Sequence, residues 1–124
     1  MIELRTALKA KLKTIHPRVF HAESVPENAE FPYLVYDLPN NNADGESMEL
    51  VIVDIDGWDI PIAGDTTALE RLMASVNLAL NKAVLTTGNT TAIFYLDTKI
   101  PLTDDDPRIR RRKYVYQAKL FRRG

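Results

Sequence analysis

The stretch Glu49-Leu-Val-Ile-Val-Asp-Ile-Asp-Gly-Trp-Asp-Ile60 decides how this chain folds. Val51, Val53 and Ile55 alternate with Leu50, Ile52, Asp54 and Asp56, and period-2 spacing dense in Val and Ile predicts a strand. Both faces are apolar at its start, and only one is after Asp54. Gly57 interrupts the run, so a bulge or bend is expected before Trp58 re-enters the apolar layer. A strand this long requires partners on both sides and a covering layer.

The flanking sequence supplies both. Leu4, Leu8, Leu12 and Ile15 form a helical stripe over residues 2–16, with Arg5, Lys9 and Lys13 on the wet face. Pro17 stops that helix, and Arg18–Ala22 reads as a short strand. Pro32–Leu38 alternates Tyr33, Val35 and Asp37 with Leu34, Tyr36 and Leu38, which predicts another strand. Pro39–Ser47 has no apolar periodicity and holds an Asp-Gly turn signal. It reads as a hairpin tip near ten residues long, beyond the usual range of about 2–5.

Leu69, Leu72, Met73, Val76, Leu80 and Ala83 make a helical stripe to about residue 84, capped by Asp65 or by the Thr67–Glu70 capping box. Thr86–Thr90 is read as the end of that helix. Thr91–Asp97 and Arg108–Arg122 complete the strands, with Ile100–Pro107 as a loop. The expected fold is α+β, a mostly antiparallel sheet with two helices on one face, in the order α-β-β-β-α-β-β. All 124 residues are expected to form a single domain. The helix stripe is expected to pack on Val53, Ile55, Tyr116 and Leu120, with Leu72 buried.

Charge is strongly segregated. Residues 18–65 hold one Arg against eleven acids, whereas residues 107–124 hold eight Arg and Lys and no acid. Such polarity fits either side-by-side strands that neutralise one another or a contact between unlike surfaces. Arg108-Ile-Arg-Arg-Arg-Lys113 is the sharpest local feature. It could pair within the chain, meet an acidic segment of another subunit, or touch nucleic acid phosphates in a salt-sensitive way.

Catalytic chemistry finds no support. Cysteine is absent, which removes disulfides and thiolate sites. His16 and His21 have no nucleophile or ligand partner at useful spacing. Asp54, Asp56 and Asp59 do not fit a calcium loop and read as solvent-facing strand acids; Asp104–Asp106 read as a solvated loop. No nucleotide or hydrolase motif occurs. The chain is expected to need no cofactor or metal and to be no enzyme. No apolar run suits a membrane helix, and the charged opening stretch lacks a signal-peptide pattern.

Several phrases together resemble the tail-terminator, or tail-completion, proteins of long-tailed bacteriophages and prophages. They are the N-terminal Leu-striped helix, Pro32-Tyr-Leu-Val-Tyr36, the long strand ending Val53-Asp-Ile-Asp56, the helix over 66–84 and the basic strand Arg108–Phe121. The resemblance covers nearly the whole chain as a pattern. It departs at Asp56-Gly57-Trp58-Asp59, where the family strand would run on without Gly. The resemblance implies a structural protein, found in the virion tail and in the host cytoplasm during assembly. It would form a ring, commonly hexameric, on the head-proximal end of the tail tube, in contact with the tube protein and a head-completion or connector protein. A head-closure or neck protein and a small nucleic-acid-binding module are the alternatives. The expected protein-interface residues are Asn40, Asn41, Asn42, Asp44 and Glu46 at the hairpin tip, and Arg108, Arg110, Arg111, Arg112 and Lys113 on the basic strand.

Overall fold

The computed structural model describes residues 2–42 and 48–122. Helix α1 spans Ile2–Lys13, strand β1 Val19–His21, β2 Tyr33–Asn42 and β3 Met48–Asp59. A 3-10 turn at Ile62–Gly64 leads to helix α2, Thr67–Leu80, followed by β4 Val84–Thr87, β5 Thr90–Thr103 and β6 Arg110–Arg122. The sheet order is β1-β2-β3-β6-β5-β4. Among the described residues only β1 and β2 run parallel; the other neighbours are antiparallel.

The centre of the sheet is the ladder between β3 and β6, unbroken from Met48↔Phe121 to Asp59↔Arg110. It positions Val51, Val53 and Ile55 beside Ala118, Tyr116 and Tyr114 on one face, all buried. Leu69, Met73, Val76 and Leu80 of α2 pack over them in one core. Leu4, Leu8 and Leu12 of α1 join that same core. Helix α1 packs against both β1 and β4, the two outermost strands. The sheet is therefore curled into a half-barrel, with α2 inside its concave face and α1 bridging the opening between its edges. Two polar ties fix α2 on the sheet. Tyr116 Oη donates to Asn77 Oδ1 at 3.0 Å, and Arg112 Nε donates to Glu70 Oε1 at 2.5 Å. Burial pushes the Tyr116 phenol well above its ordinary pKa.

Gly57 behaves differently from the expectation. It causes no bulge: β3 keeps its register through Gly57 against both Leu34 and Arg112. Its side-chain position faces α2 instead, where an added Cβ would stand 2.6 Å from Met73 Sδ and 3.0 Å from Leu69 Cδ1. The missing side chain allows close helix–sheet approach. Because the alternation is not reset, Trp58 lies on the convex face and not in the helix-covered core.

Other boundaries also move. Asn40, Asn41 and Asn42 belong to β2, opposite Ile52, Val51 and Leu50, after a register shift between Asp37 and Asn40. The hairpin tip expected at Pro39–Ser47 is thus strand at its start; Asp44 and Glu46 lie outside the described residues. Residues 84–87 form a strand where the end of the helix was expected, because Thr87 and Thr90 pair across Gly88-Asn89, with Gly88 at φ 57°. Strand β5 runs through the expected loop to Thr103, passing a register shift between Leu96 and Thr98. Asp65 Oδ1, not a capping box, accepts from the Thr67 amide at 3.0 Å. Leu72 is only partly buried at the core margin.

The packing around Gly57 is testable. Gly57→Val should cost about 1–3 kcal/mol by overpacking, and Met73→Ala about 2–5 kcal/mol by leaving a cavity. Urea denaturation of the double variant should show less than the sum, because the two changes offset one another. Additive costs would place Met73 away from Gly57.

Candidate functional site

The convex face carries a second, smaller packed layer. The register aligns Tyr33 with Trp58 and Arg111, Val35 with Asp56 and Lys113, and Asp37 with Asp54 and Val115. The rings of Tyr33 and Trp58 stack with centroids 5.9 Å apart, and the Arg111 guanidinium lies 4.0 Å from the Trp58 ring centroid. Phe20 and Phe31 flank Tyr33 at 5.8 and 5.1 Å. A planar cation on an indole face is favourable in its own right. The segment that follows β1 places Ala22 and Val25 over this layer and closes a cavity of about 350 Å³ against the strand side chains.

Ion pairs run diagonally across the ladder. Arg111 Nη2 reaches Asp56 Oδ2 at 2.7 Å, and Lys113 Nζ lies 3.7 Å from Asp54 Oδ2. Each cation passes over its direct register partner to the residue two positions along β3 on the same face, a span long side chains can bridge. Arg122 pairs with Glu49 at the other end of the same ladder. Asp56, Asp59 and Glu49 are buried, so the expectation of solvent-facing acids fails for Asp56 and Asp59. The buried Nε of Arg111 and Nε1 of Trp58 have no acceptor among the described residues. The stacked pair is thus held by ring contact and by one side of the guanidinium.

Burial pushes the Asp54 carboxyl above its ordinary pKa. Lys113 pulls it back in part, and Asp56 and Asp37 push it the same way as burial. Asp106 shows the opposite. Arg108 donates to both its oxygens, at 3.1 and 2.7 Å, and with the Arg108 amide holds it down at about 2. Asp104 accepts from the Asp106 amide. These two acids structure the β5–β6 turn.

The expected interface residues are accordingly scattered. Arg111 and Lys113 lie on the convex layer, and Arg112 on the concave side against Glu70. Arg108 and Arg110 lie at the β5–β6 turn, where Arg110 Nη1 donates to the Pro107 and Ile109 carbonyls. Asn40–Asn42 sit at the opposite end of the ladder. The aromatic cavity was missed in the sequence. Its signal was the shared parity of Asp54, Asp56 and Trp58, obscured by the bend expected at Gly57. No helix among the described residues is long and apolar enough to cross a membrane.

The fold matches that of a chain in the virion of the native gene transfer agent (GTA) particle. The TM-score is 0.75 at 18% sequence identity, over 96% of this chain and 95% of that one. At that identity the likeness is one of fold. No protein-family model matches the sequence, and no curated protein matches it.

The two convex-face acids should behave oppositely. Asp56→Asn leaves Arg111 without its carboxylate and should cost about 3 kcal/mol, the low end for a broken buried pair. Asp54 holds its proton more tightly folded than unfolded, so its charged form opposes folding at neutral pH. Asp54→Asn should leave stability at pH 7 unchanged or higher, a gain that disappears as pH falls below the ordinary Asp range. Denaturation midpoints at pH 7 and pH 3 check both. A large loss from Asp54→Asn at pH 7 would show that the Lys113 pair outweighs desolvation.

Proposed function

We propose that this chain is a structural protein of a phage-type virion, acting as a terminator ring on the head-proximal end of the tail tube. The observation that carries the reading is the end-to-end fold match to a virion chain, which covers nearly all of both partners. The internal chemistry agrees with it. The charged and aromatic groups of the convex layer are engaged with one another across the sheet, as befits a rigid assembly unit. The resemblance of the sequence to tail-completion proteins supplies the finer role. The partners are further copies of the chain, the tail tube protein and a head-completion or connector protein.

The ladder geometry suggests how such a subunit joins two unlike neighbours. The β2–β3 hairpin, with Asn40–Asn42 and the acids Asp44 and Glu46, lies at one end of the strands in chain order. Arg108 and Arg110 lie at the other. The two ends differ in composition, the hairpin segment holding amides and acids and the β5–β6 turn mixing Asp104, Asp105 and Asp106 with Arg108 and Arg110, and they are suited to different axial partners, one towards the tube and one towards the head. Arg111, Arg112 and Lys113 act as internal ties from β6 to β3 and α2.

Added to polymerising tail tube protein, the purified chain should cap tubes and stop their growth, as seen by negative-stain electron microscopy. Deleting residues 43–46 should leave folding intact and weaken capping. Tubes that lengthen unchanged in the presence of the wild-type chain would remove the terminator role. Binding to head connectors alone would indicate a neck protein.

A further inference from the structure

We infer that copies of this chain meet through the outer face of α1 on one subunit and the acidic segment 22–32 on the next. This rests on the proposed ring, and it places the lateral contact away from the basic strand.

In-chain pairing takes up much of the sheet's basic charge, and Lys99 and Lys119, without an ion pair among the described residues, lie over the Tyr114 and Tyr95 rings. Arg111, Arg112, Lys113 and Arg122 each have a carboxylate partner within the subunit. The cations of α1 do not: Arg5, Lys9, Lys11 and Lys13 form no ion pair among the described residues. Arg5, Lys9 and Lys13 are exposed. They follow i, i+4, i+8, so they form one row with about 6 Å of rise between neighbours. Tyr36, Thr6, Arg5 and Lys9 border a shallow groove along this row.

The matching acids lie in the segment between β1 and β2. Residues 19–36 contain Glu23, Glu27 and Glu30 and no Lys or Arg. All three are exposed and form no ion pair among the described residues. Their segment leaves β1 and covers the convex cavity through Ala22 and Val25, whereas α1 closes the concave side. A cationic row and an acidic segment are therefore separate patches of one subunit, whose chain segments meet where the His16 and Arg18 side chains donate to the Pro32 carbonyl. Unlike patches on one subunit make a head-to-tail contact, the kind that closes into a ring when the rotation per subunit permits. The contact places charges in register without new apolar burial, so it should be salt-sensitive and reversible.

The test is a charge swap. One variant carries Arg5→Glu, Lys9→Glu and Lys13→Glu; the other carries Glu23→Lys, Glu27→Lys and Glu30→Lys. Self-association is followed by sedimentation velocity at low ionic strength. Each variant alone should associate at least about tenfold more weakly than wild type, a loss of about 1.4 kcal/mol. An equimolar mixture should regain association, because every contact between unlike variants is complementary again. That rescue separates lost contact from lost folding. Wild-type association with both variants unaffected, or no rescue on mixing, overturns this contact and leaves the ring reading standing. A wild-type chain monomeric at all concentrations overturns both. Loss of duplex DNA retention by the α1 variant, with its self-association intact, would reassign the cationic row to a polyanion and overturn the contact.

Discussion

Everything in this structure depends on the antiparallel ladder between β3 and β6. It joins the acidic third of the chain to its basic end, residue by residue, over twelve aligned positions. On the concave side it presents Val51, Val53, Ile55, Tyr114, Tyr116 and Ala118 to the helices. On the convex side it orders Asp54, Asp56, Arg111 and Lys113 into diagonal pairs. A one-residue slip would exchange the faces, placing carboxylates in the core and valines in water. The apolar pattern therefore fixes the register, and the charges follow it. Ion pairs of this kind contribute less to stability than to discrimination against other pairings.

The two faces are sealed by different means. The concave face is covered by α2, which approaches closely at Gly57, and by α1, which bridges the two sheet edges. Among the described residues no helix covers the convex face. Stacked aromatics, one guanidinium and the segment after β1 cover part of it. Strand β5 continues past β4, and its outer edge there has no partner strand among the described residues. Pro101 and Lys99 occupy that edge, and both residue types discourage strand addition. The molecule thus guards this edge against strand addition.

Much of this was legible in the sequence. Period-2 alternation located β2, β3 and β6, and the Leu and Met stripe located α2, because burial on one face imposes those spacings. Two misreadings came from treating glycine as an interruption. Gly57 is a packing device inside a regular strand, and Gly88 makes a hairpin turn where a helix end was expected. The polar run Asp97-Thr-Lys99 concealed the continuation of β5, since a strand next to a bulge and a free edge has no need of apolar alternation. The cavity layer was harder to see. It depends on diagonal contacts between β3 and β6, which are 55 residues apart in sequence for Arg111 and Asp56. The charge asymmetry was plain, but the sequence left open whether it joined strands or subunits; in-chain pairs now occupy most of the basic strand.

The role proposed for this fold is a terminal ring on a tail tube. The most direct measurement is a cryo-electron microscopy reconstruction of tubes assembled from tail tube protein in the presence of the chain. The account predicts a closed ring of the chain at one tube end only, each subunit retaining its own β3–β6 ladder. Subunits distributed along the tube, attached to the head alone, or exchanging β6 with a neighbour would contradict it.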